Sequence, residues 1–322
     1  MSRPPSSPVT GPVFLLVNPV AGGGRARGVL DRACAALRAL GPLEVVASEG
    51  PRDESRVATM ASRAGARVLV VLGGDGAVSH AARGLITERS STPLAVFAAG
   101  TGNDFAKSLG TPSHDYEAMA ALIAGECTRT VDAGFVDDVP FMNAAGFGFD
   151  VAVLQRMREA GARPWLRGTA QYVTTALREL FRYRGFEATV TGCDAERAVA
   201  TEARRRWLML VFANGAWFGG AFHIAPDADV ANGTLECIGI RDVAPLARVP
   251  LFARALAGRH VTHPTVRADR GVAFTLAFDA PPHFEADGEL HQAASASVRV
   301  RCEPGALRVV AAADQGVRVL DP

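Results

Sequence analysis

The stretch Val68-Leu69-Val70-Val71-Leu72-Gly73-Gly74-Asp75-Gly76-Ala77-Val78-Ser79 decides how this chain folds. Five apolar residues run without a break into three glycines that enclose one aspartate. A short apolar run closed by glycine reads as a strand covered on both faces, as in a parallel sheet. Glycine after such a strand lets the backbone come close to a ligand. Residues Ala77 to Leu85 predict a helix, whose first N–H groups would face the loop and favour an anion. The stretch thus supports a phosphate-binding strand–loop–helix with Asp75 placed to work through a metal or on a hydroxyl. A plain βα turn with an incidental aspartate fits the same residues, and the stretch alone leaves both open.

The surrounding chain repeats the pattern. Val13–Val17 is a buried strand that ends at Asn18-Pro19 and leads into Ala21-Gly22-Gly23-Gly24, with a cationic residue, Arg25, at the exit. Residues Ala26 to Leu40 have apolar positions at helical spacing and stop at Gly41-Pro42. Leu43–Ala47 is the next strand, followed by Ser48, and a helix is expected over Arg52 to Ala64. Pro93–Ala98 opens into Ala99-Gly100-Thr101-Gly102-Asn103-Asp104-Phe105. Strand and helix alternating through short loops predict a parallel sheet covered by helices on both faces. Ligands of such sheets sit beyond the carboxyl ends of the strands, where three glycine-bearing loops would share one rim. The pattern is neither a G-x-x-x-x-G-K-[ST] P-loop nor a G-x-G-x-x-G after the first strand.

Beyond a helix expected at Asp115–Ala124, the grammar changes. Short β-like runs follow: Thr130–Val136, Pro140–Ala144, Ala188–Thr191, Trp207–Ala213, Thr234–Ile240, Gly271–Phe278, Ser297–Cys302 and Ala306–Ala311. They predict an antiparallel β domain. An amphipathic helix is expected over Leu166 to Phe181, with Leu166, Val173, Leu177 and Leu180 on one face. Its arginines, Arg167, Arg178, Arg182 and Arg184, either flank a helix that covers a sheet or face anionic lipid. A second helix, Pro245 to Ala257, is expected to break or kink at Pro250.

The chain's 322 residues allow two domains, and 48% hydrophobic with 21% charged residues is ordinary for a globular protein. A formal net charge of +1 gives no argument for nucleic acid. Five scattered cysteines form no C-x-x-C pair and no zinc spacing, which fits reduced thiols in a cytoplasmic protein. The start, M-S-R-P-P-S-S-P, reads as a short disordered tail, and no apolar run approaches the roughly 20 residues of a membrane span. Membrane contact is therefore expected to be peripheral and transient.

Three stretches together carry a resemblance: the Asn18-Pro19 loop, Gly73-Gly74-Asp75-Gly76, and Gly100-Thr101-Gly102-Asn103-Asp104-Phe105-Ala106. They resemble the catalytic domain of the diacylglycerol kinase family, which includes soluble bacterial lipid kinases and the sphingosine and ceramide kinases. The match continues through Asn143–Asp150, Asn214 with Phe218-Gly219-Gly220, Ile224–Ala228, Asn232-Gly233-Thr234-Leu235 and Asp287-Gly288-Glu289. It covers roughly residues 13 to 312 in the family's order. The resemblance implies a nucleotide-binding α/β domain over residues 1–133 and an antiparallel β-sandwich over residues 134–303. It also implies a C-terminal segment, 304–322, returning to the first domain, and an active site in the interdomain cleft.

It further implies ATP and Mg²⁺ as cofactors of phosphoryl transfer to a lipid hydroxyl, diacylglycerol or a relative, in lipid metabolism and phospholipid biosynthesis. Asn18, Ser48, Gly73, Gly74, Asp75, Gly76, Ala77, Thr101, Gly102 and Asn103 are the expected nucleotide contacts. Asp75 and Asp104 would hold Mg²⁺, directly or through water, since a hard cation prefers carboxylate oxygens. Glu289 resembles the family's general base, and Asp287 accompanies it in the catalytic set. Asp229, Asn232 and Thr234 correspond to a structural Mg²⁺ site in bacterial relatives. Without the resemblance, Asp104 also fits a helix cap, and Glu289 reads first as a hairpin carboxylate.

Three departures stand out: Ala77 where the family has threonine, His80 where it has glutamate, and Asn232 where it has aspartate. A hydroxyl lost at 77 removes about 1 kcal/mol of hydrogen bonding, and the neutral amide of Asn232 is a weaker cation ligand. The alternatives are an NAD kinase, which shares Gly-Gly-Asp-Gly, and a non-catalytic nucleotide or lipid sensor. Phe147, Phe149, Trp217, Phe218 and Phe222 are candidates for an acyl pocket or for core. The sequence is silent on oligomeric state, with a homodimer left open.

Overall fold

The computed structural model describes residues 11–160, 169–194, 197–201 and 204–312. The chain divides into two compact units, Met1–Val131 with Ala306–Pro322, and Asp132–Gly305. The expected N-terminal tail, residues 1–8, lies outside the described residues, as do residues 313–322.

The first unit is built on parallel strands β1 (Val13–Val17), β2 (Leu43–Ala47), β3 (Val68–Gly73) and β4 (Leu94–Ala98), in the order β4-β3-β1-β2. Every residue of β1, β3 and β4 is buried, whereas edge strand β2 has a mixed pattern. That difference is what the uninterrupted apolar runs dictate. Helices α1 (Arg25–Arg38), α2 (Asp53–Arg63), α3 (Asp75–Thr87), α4 (Asp104–Leu109) and α5 (Tyr116–Ala124) follow the strands. The chain adds β2 on one side of β1 and β3 on the other, so the order reverses between β1 and β3. Such a reversal splays the following loops and opens a crevice at the strands' carboxyl ends.

The helix expected over Ala77–Leu85 starts two residues earlier, so Asp75 stands in its first turn and the loop shrinks to Gly74. Asp75 there meets the positive end of the helix dipole.

The second unit takes in most of β5 (Thr128–Val136), then β6 (Val139–Phe141), β7 (Ala144–Gly148), α6 (Phe149–Ala160) and α7 (Thr169–Arg182). Strands β8 (Phe186–Asp194), β9 (Arg197–Thr201), β10 (Arg205–Ala213) and β11 (Leu235–Arg241) come next. They are followed by α8 (Pro245–Leu256), β12 (Val266–Gly271), β13 (Ala273–Ala277), β14 (His283–Ala286), β15 (Glu289–Gln292) and β16 (Ser297–Val310). The strands pair antiparallel, in the run β15-β14-β7-β10-β8-β13-β16, with β11 and β12 branching from β10. Phe147, Trp207, Phe212, Phe274 and Phe284 fill the core, and Trp207 Nε1 donates to Ala188 O at 3.2 Å.

Several strand limits differ from the expected ones. Pro140–Ala144 is two strands, because Asp287 takes the N–H groups of Met142, Asn143 and Ala144 that a continuous ladder would need. Ser297–Cys302 and Ala306–Ala311 join into the single strand β16, whose end lies parallel to β4 through Val309 and Leu94. The β14–β15 hairpin is the turn that Asp287-Gly288 signalled, whereas β9, β12 and α6 were not expected as elements. Pro250 sits inside α8 without ending it, since the carbonyl it frees lies one turn back at exposed Leu246. Leu166 and Arg167 lie outside the described residues. Cys34, Cys127, Cys237 and Cys302 carry free thiols.

Candidate active site

In the first unit the three glycine loops meet, and each contact has a residue-level cause. Asn18 donates its backbone N–H to Leu72 O at 3.1 Å, and its side chain donates to Glu54 Oε1 at 3.0 Å. A Cβ on Gly73 would come 2.7 Å from the Ala77 Cβ and 3.7 Å from the Asn18 Cβ. A Cβ on Gly100 would lie 2.5 Å from the Gly74 Cα and 2.8 Å from Asn103 Oδ1, so the β3 and β4 loops touch glycine to glycine. Arg25 ties the β1 loop to the β4 loop: it donates to Gly22 O at 3.1 Å, Gly100 O at 3.3 Å and Thr101 Oγ1 at 3.0 Å. Ser48, at the end of β2, donates its N–H to Val17 O at 2.9 Å.

Asp75 is the hub of this arrangement. Its carboxylate accepts the N–H of Asn103 at 2.6 Å and of Phe105 at 3.4 Å. Asn103 holds the left-handed conformation, φ 54°, which turns its N–H onto Asp75, and its side chain donates to Gly100 O at 3.1 Å. Burial pushes the Asp75 carboxyl above the ordinary aspartate range, the nearby negative charge of Asp104 adds to this, and the backbone N–H groups of residues 103–105 oppose it. Asp104 is itself buried and pairs with Lys107 at 3.1 Å. Two neighbouring carboxylates, with the charge of Asp104 bearing on the Asp75 carboxyl, fit a divalent cation. Mg²⁺ needs only one or two protein carboxylates, the rest of its shell being water and phosphate oxygens.

Gly76 and Thr101 are exposed, Gly102 is half-buried, and Ala77 is buried beneath Gly73. His80 is also buried, on α3. Gly100→Ala is expected to force the two loops apart. It should cost about 1–3 kcal/mol of stability and weaken binding of a fluorescent ATP analogue at least tenfold, read by thermal melting and by titration.

The second unit holds the remaining residues in two separate places. Asp287 and Gly288 form the two-residue turn of the β14–β15 hairpin, with φ of 49° and 82°, the geometry that Asp-Gly adopts most readily. The Asp287 carboxylate accepts the N–H groups of Met142 at 2.8 Å, Asn143 at 2.9 Å and Ala144 at 3.2 Å. Glu285 accepts the Gly288 N–H at 2.7 Å. Glu289, half-buried, opens β15 opposite Ala286. The hairpin is thus anchored by two carboxylates, Glu285 before the turn and Asp287 within it, and Glu289 leaves it at a defined position.

Asp229, Asn232 and Thr234 share one surface turn. There Asn232 Oδ1 already accepts the Thr234 N–H at 2.9 Å and its hydroxyl at 2.7 Å. Asp229 accepts the Ala231 N–H at 3.0 Å. Among the described residues, no group of three or more His, Cys, Asp or Glu could hold a metal.

Four buried acids that shape these sites were missed as site residues. Glu54 holds Asn18, and Asp132 accepts the N–H groups of Gly233 at 2.6 Å and Gly305 at 2.9 Å. Glu285 holds the hairpin turn. Asp150 lies in the first turn of α6, and its oxygens make no hydrogen bond of ordinary geometry among the described residues. Burial pushes its carboxyl up to about 7, opposed only by looser approaches of the N–H groups of Val151 and of Asp150 itself. A point one Cβ away from Gly146 lies 1.6 Å from Asp150 Oδ2 and 3.0 Å from Glu285 Oε1, so only glycine leaves room for the two acids. The signal was available in the Asn143–Asp150 run, where a lone acid follows six small or apolar residues.

Of the aromatic candidates, Phe147 lines a cavity of about 340 Å³ with Val151, Tyr183, Phe186, Phe278 and Pro282. Phe149 packs on Phe252, and Trp217 stacks on His223.

Comparison with known proteins accounts for both units. Residues 12–136 match the diacylglycerol kinase catalytic domain, and residues 143–311 match the YegS C-terminal NAD kinase beta sandwich-like domain. A diacylglycerol kinase of Mycobacterium tuberculosis (strain ATCC 25618 / H37Rv) is 29% identical over 308 residues, covering 93% of this chain and 95% of that protein. A Chromohalobacter salexigens protein named "Probable lipid kinase YegS-like" is 31% identical over 196 residues, 60% of each chain. A crystal structure of a diacylglycerol kinase from Bacillus anthracis str. Sterne shares the fold, with a TM-score of 0.70 at 19% identity over 94% of this chain and 97% of that one. The β-sandwich match alone spans more than half of the chain, and with the catalytic domain preceding it, this chain is a lipid kinase that belongs to the diacylglycerol kinase family.

Proposed function

We propose that the enzyme transfers the γ-phosphoryl group of ATP, in the presence of Mg²⁺, to the hydroxyl of diacylglycerol or a closely related lipid. The reading is carried by the three glycine loops that converge on Asp75 and Asp104 at the carboxyl ends of β1, β3 and β4. Phosphoryl transfer demands little covalent chemistry from a protein; it needs positioned phosphates, charge neutralisation and a proton acceptor. The loop backbone and the first N–H groups of α3 would bind phosphate oxygens, with Arg25 holding the loops in register. Asp75 and Asp104 would hold Mg²⁺, which when bound draws charge from the phosphates. Glu289 would accept the proton of the lipid hydroxyl, and the grip of Asp287 on residues 142–144 would keep the hairpin that carries it in place. The cavity beside Phe147, apolar along Val151, Phe186, Phe278 and Pro282 and polar at Glu187, Asp279 and His283, suits a lipid with both an acyl chain and a polar end.

The test presents radiolabelled ATP with dioleoylglycerol in mixed micelles and, separately, with NAD. Label is expected in phosphatidic acid, and chelation by EDTA should abolish it. Labelled NADP without labelled lipid would replace the reading with an NAD kinase, and no turnover with any lipid would leave a nucleotide or lipid sensor. No described helix is long and apolar enough to cross a membrane.

A further inference from the structure

The second unit displays two helices whose outer faces are built backwards for water. Helix α8 buries Arg248, Leu251 and Ala255 on one side. On the other, Leu246 (79% exposed), Val249, Ala253 and Leu256 (50% exposed) recur at i, i+3, i+7 and i+10, one stripe of a 3.6-residue helix. Helix α7 repeats the feature one turn at a time: Leu177 and Phe181 are both about half exposed, four residues apart. Among the described residues eight large hydrophobic side chains are exposed, and five of them stand on this helix pair.

The helices touch, and buried Arg248 fixes how. It donates to Leu180 O at 2.7 Å and Tyr183 O at 3.0 Å at the end of α7, and to Asp242 Oδ1 at 2.7 Å. The start of α8 is therefore held against the end of α7, and each helix keeps an exposed apolar stripe of its own.

The charges on this face have one sign. Arg178 and Arg182 on α7 and Arg254 on α8 are exposed, and Arg184 and Arg259 follow the two helices. The acid of α7, Glu179, is buried and faces Arg156 at 3.5 Å, while α8 contains no acidic residue. Contiguous apolar surface rimmed by charge marks an interaction site. A symmetric contact with a second copy would set this arginine rim against itself, since such an interface pairs a patch with the same patch. A bilayer surface satisfies both halves of the pattern: the headgroup–acyl boundary takes leucine and phenylalanine, and anionic headgroups take arginine.

We propose that the α7–α8 face is the enzyme's docking surface for an anionic lipid bilayer. The proposal goes beyond the phosphoryl-transfer reading, and it is measured without turnover.

The full chain is floated with vesicles of phosphatidylcholine alone and with about a third phosphatidylglycerol. The wild type is expected to float with the anionic vesicles, at least tenfold more weakly with the neutral ones, and to be released by high salt. The double variant Phe181→Ser/Leu246→Ser should lose about tenfold or more in partitioning, and Arg178→Gln/Arg182→Gln should lose the preference for phosphatidylglycerol. Both keep the wild-type melting temperature, because the altered side chains are exposed. Both also keep the wild-type rate on a short-chain, water-dispersed diacylglycerol. A wild type that does not float, or variants that float as it does, would overturn the proposal. So would a dimeric wild type that Phe181→Ser/Leu246→Ser converts to monomer, for the face would then be a self-interface. Failure to phosphorylate any lipid would count against the kinase mechanism while leaving the vesicle result to stand on its own.

Discussion

Glu289→Gln is expected to lower the turnover number for lipid phosphorylation by about 10²–10⁴-fold, the usual contribution of a general base, with KM for ATP nearly unchanged. The amide keeps the shape of the side chain and removes its capacity to take a proton. Glu289 follows directly on the Asp287–Gly288 turn and pairs with Ala286 across the hairpin, so the substitution leaves the turn's own hydrogen bonds intact. A purely structural role would move stability and leave the rate; a base moves the rate and leaves stability. Equal rates for the two proteins in the micelle assay would remove Glu289 from the mechanism. The neighbouring change Asp287→Asn is expected to behave the other way. It weakens a charged acceptor shared by three backbone N–H groups, so the hairpin loosens and stability falls by about 1–3 kcal/mol.

Asp150→Asn is expected to stabilise the second unit at pH 8 and to make little difference near pH 4. The Asp150 carboxyl is pushed up to about 7 by burial, against an ordinary value of 3.8. Below both values the group is protonated folded and unfolded, and it contributes nothing to the pH dependence. Between them the folded chain keeps the proton that the unfolded chain releases, so stability falls as pH rises; above about 7 the full cost is reached. The shift sets a ceiling of about 4 kcal/mol on that cost. An asparagine amide is neutral throughout and escapes it. Trp207 and Trp217 lie in the second unit, so urea denaturation followed by tryptophan fluorescence reads this unit. A wild-type and variant difference that is the same at pH 5 and pH 8 would show that Asp150 is not the group held uncharged.

The first unit was legible because its signals are local. β1, β3 and β4 are continuous apolar runs, and a residue buried on both faces must be apolar whatever its neighbours are. The glycines of the rim loops are readable for the same reason, since only a missing side chain lets Gly74 and Gly100 approach each other. Helix limits were less legible. α3 begins at Asp75 because its first turn is stabilised by a tertiary contact between that carboxylate and the 103–105 backbone, 28 residues away. In the second unit Pro140–Ala144 has the composition of one strand, and it breaks because Asp287, more than 140 residues on, captures its N–H groups.

The sequence by itself determined the order of strands and helices in the first unit, the three glycine loops and the aspartate among them, all of which follow from side-chain type and spacing alone; Asp104 and Glu289 were singled out only by the resemblance to the diacylglycerol kinase family. Only the tertiary structure decided that Arg25 ties two loops, that Asp287 anchors a hairpin, that Asp150 is buried beside Glu285, and that the apolar stripe of α8 faces water. Each depends on what a side chain meets across a long loop closure, and no local spacing encodes that meeting. The Gly73–Ala77 contact puts the case at the smallest scale: the alanine that looked like a lost phosphate contact is the small residue packed beneath Gly73, at the end of β3.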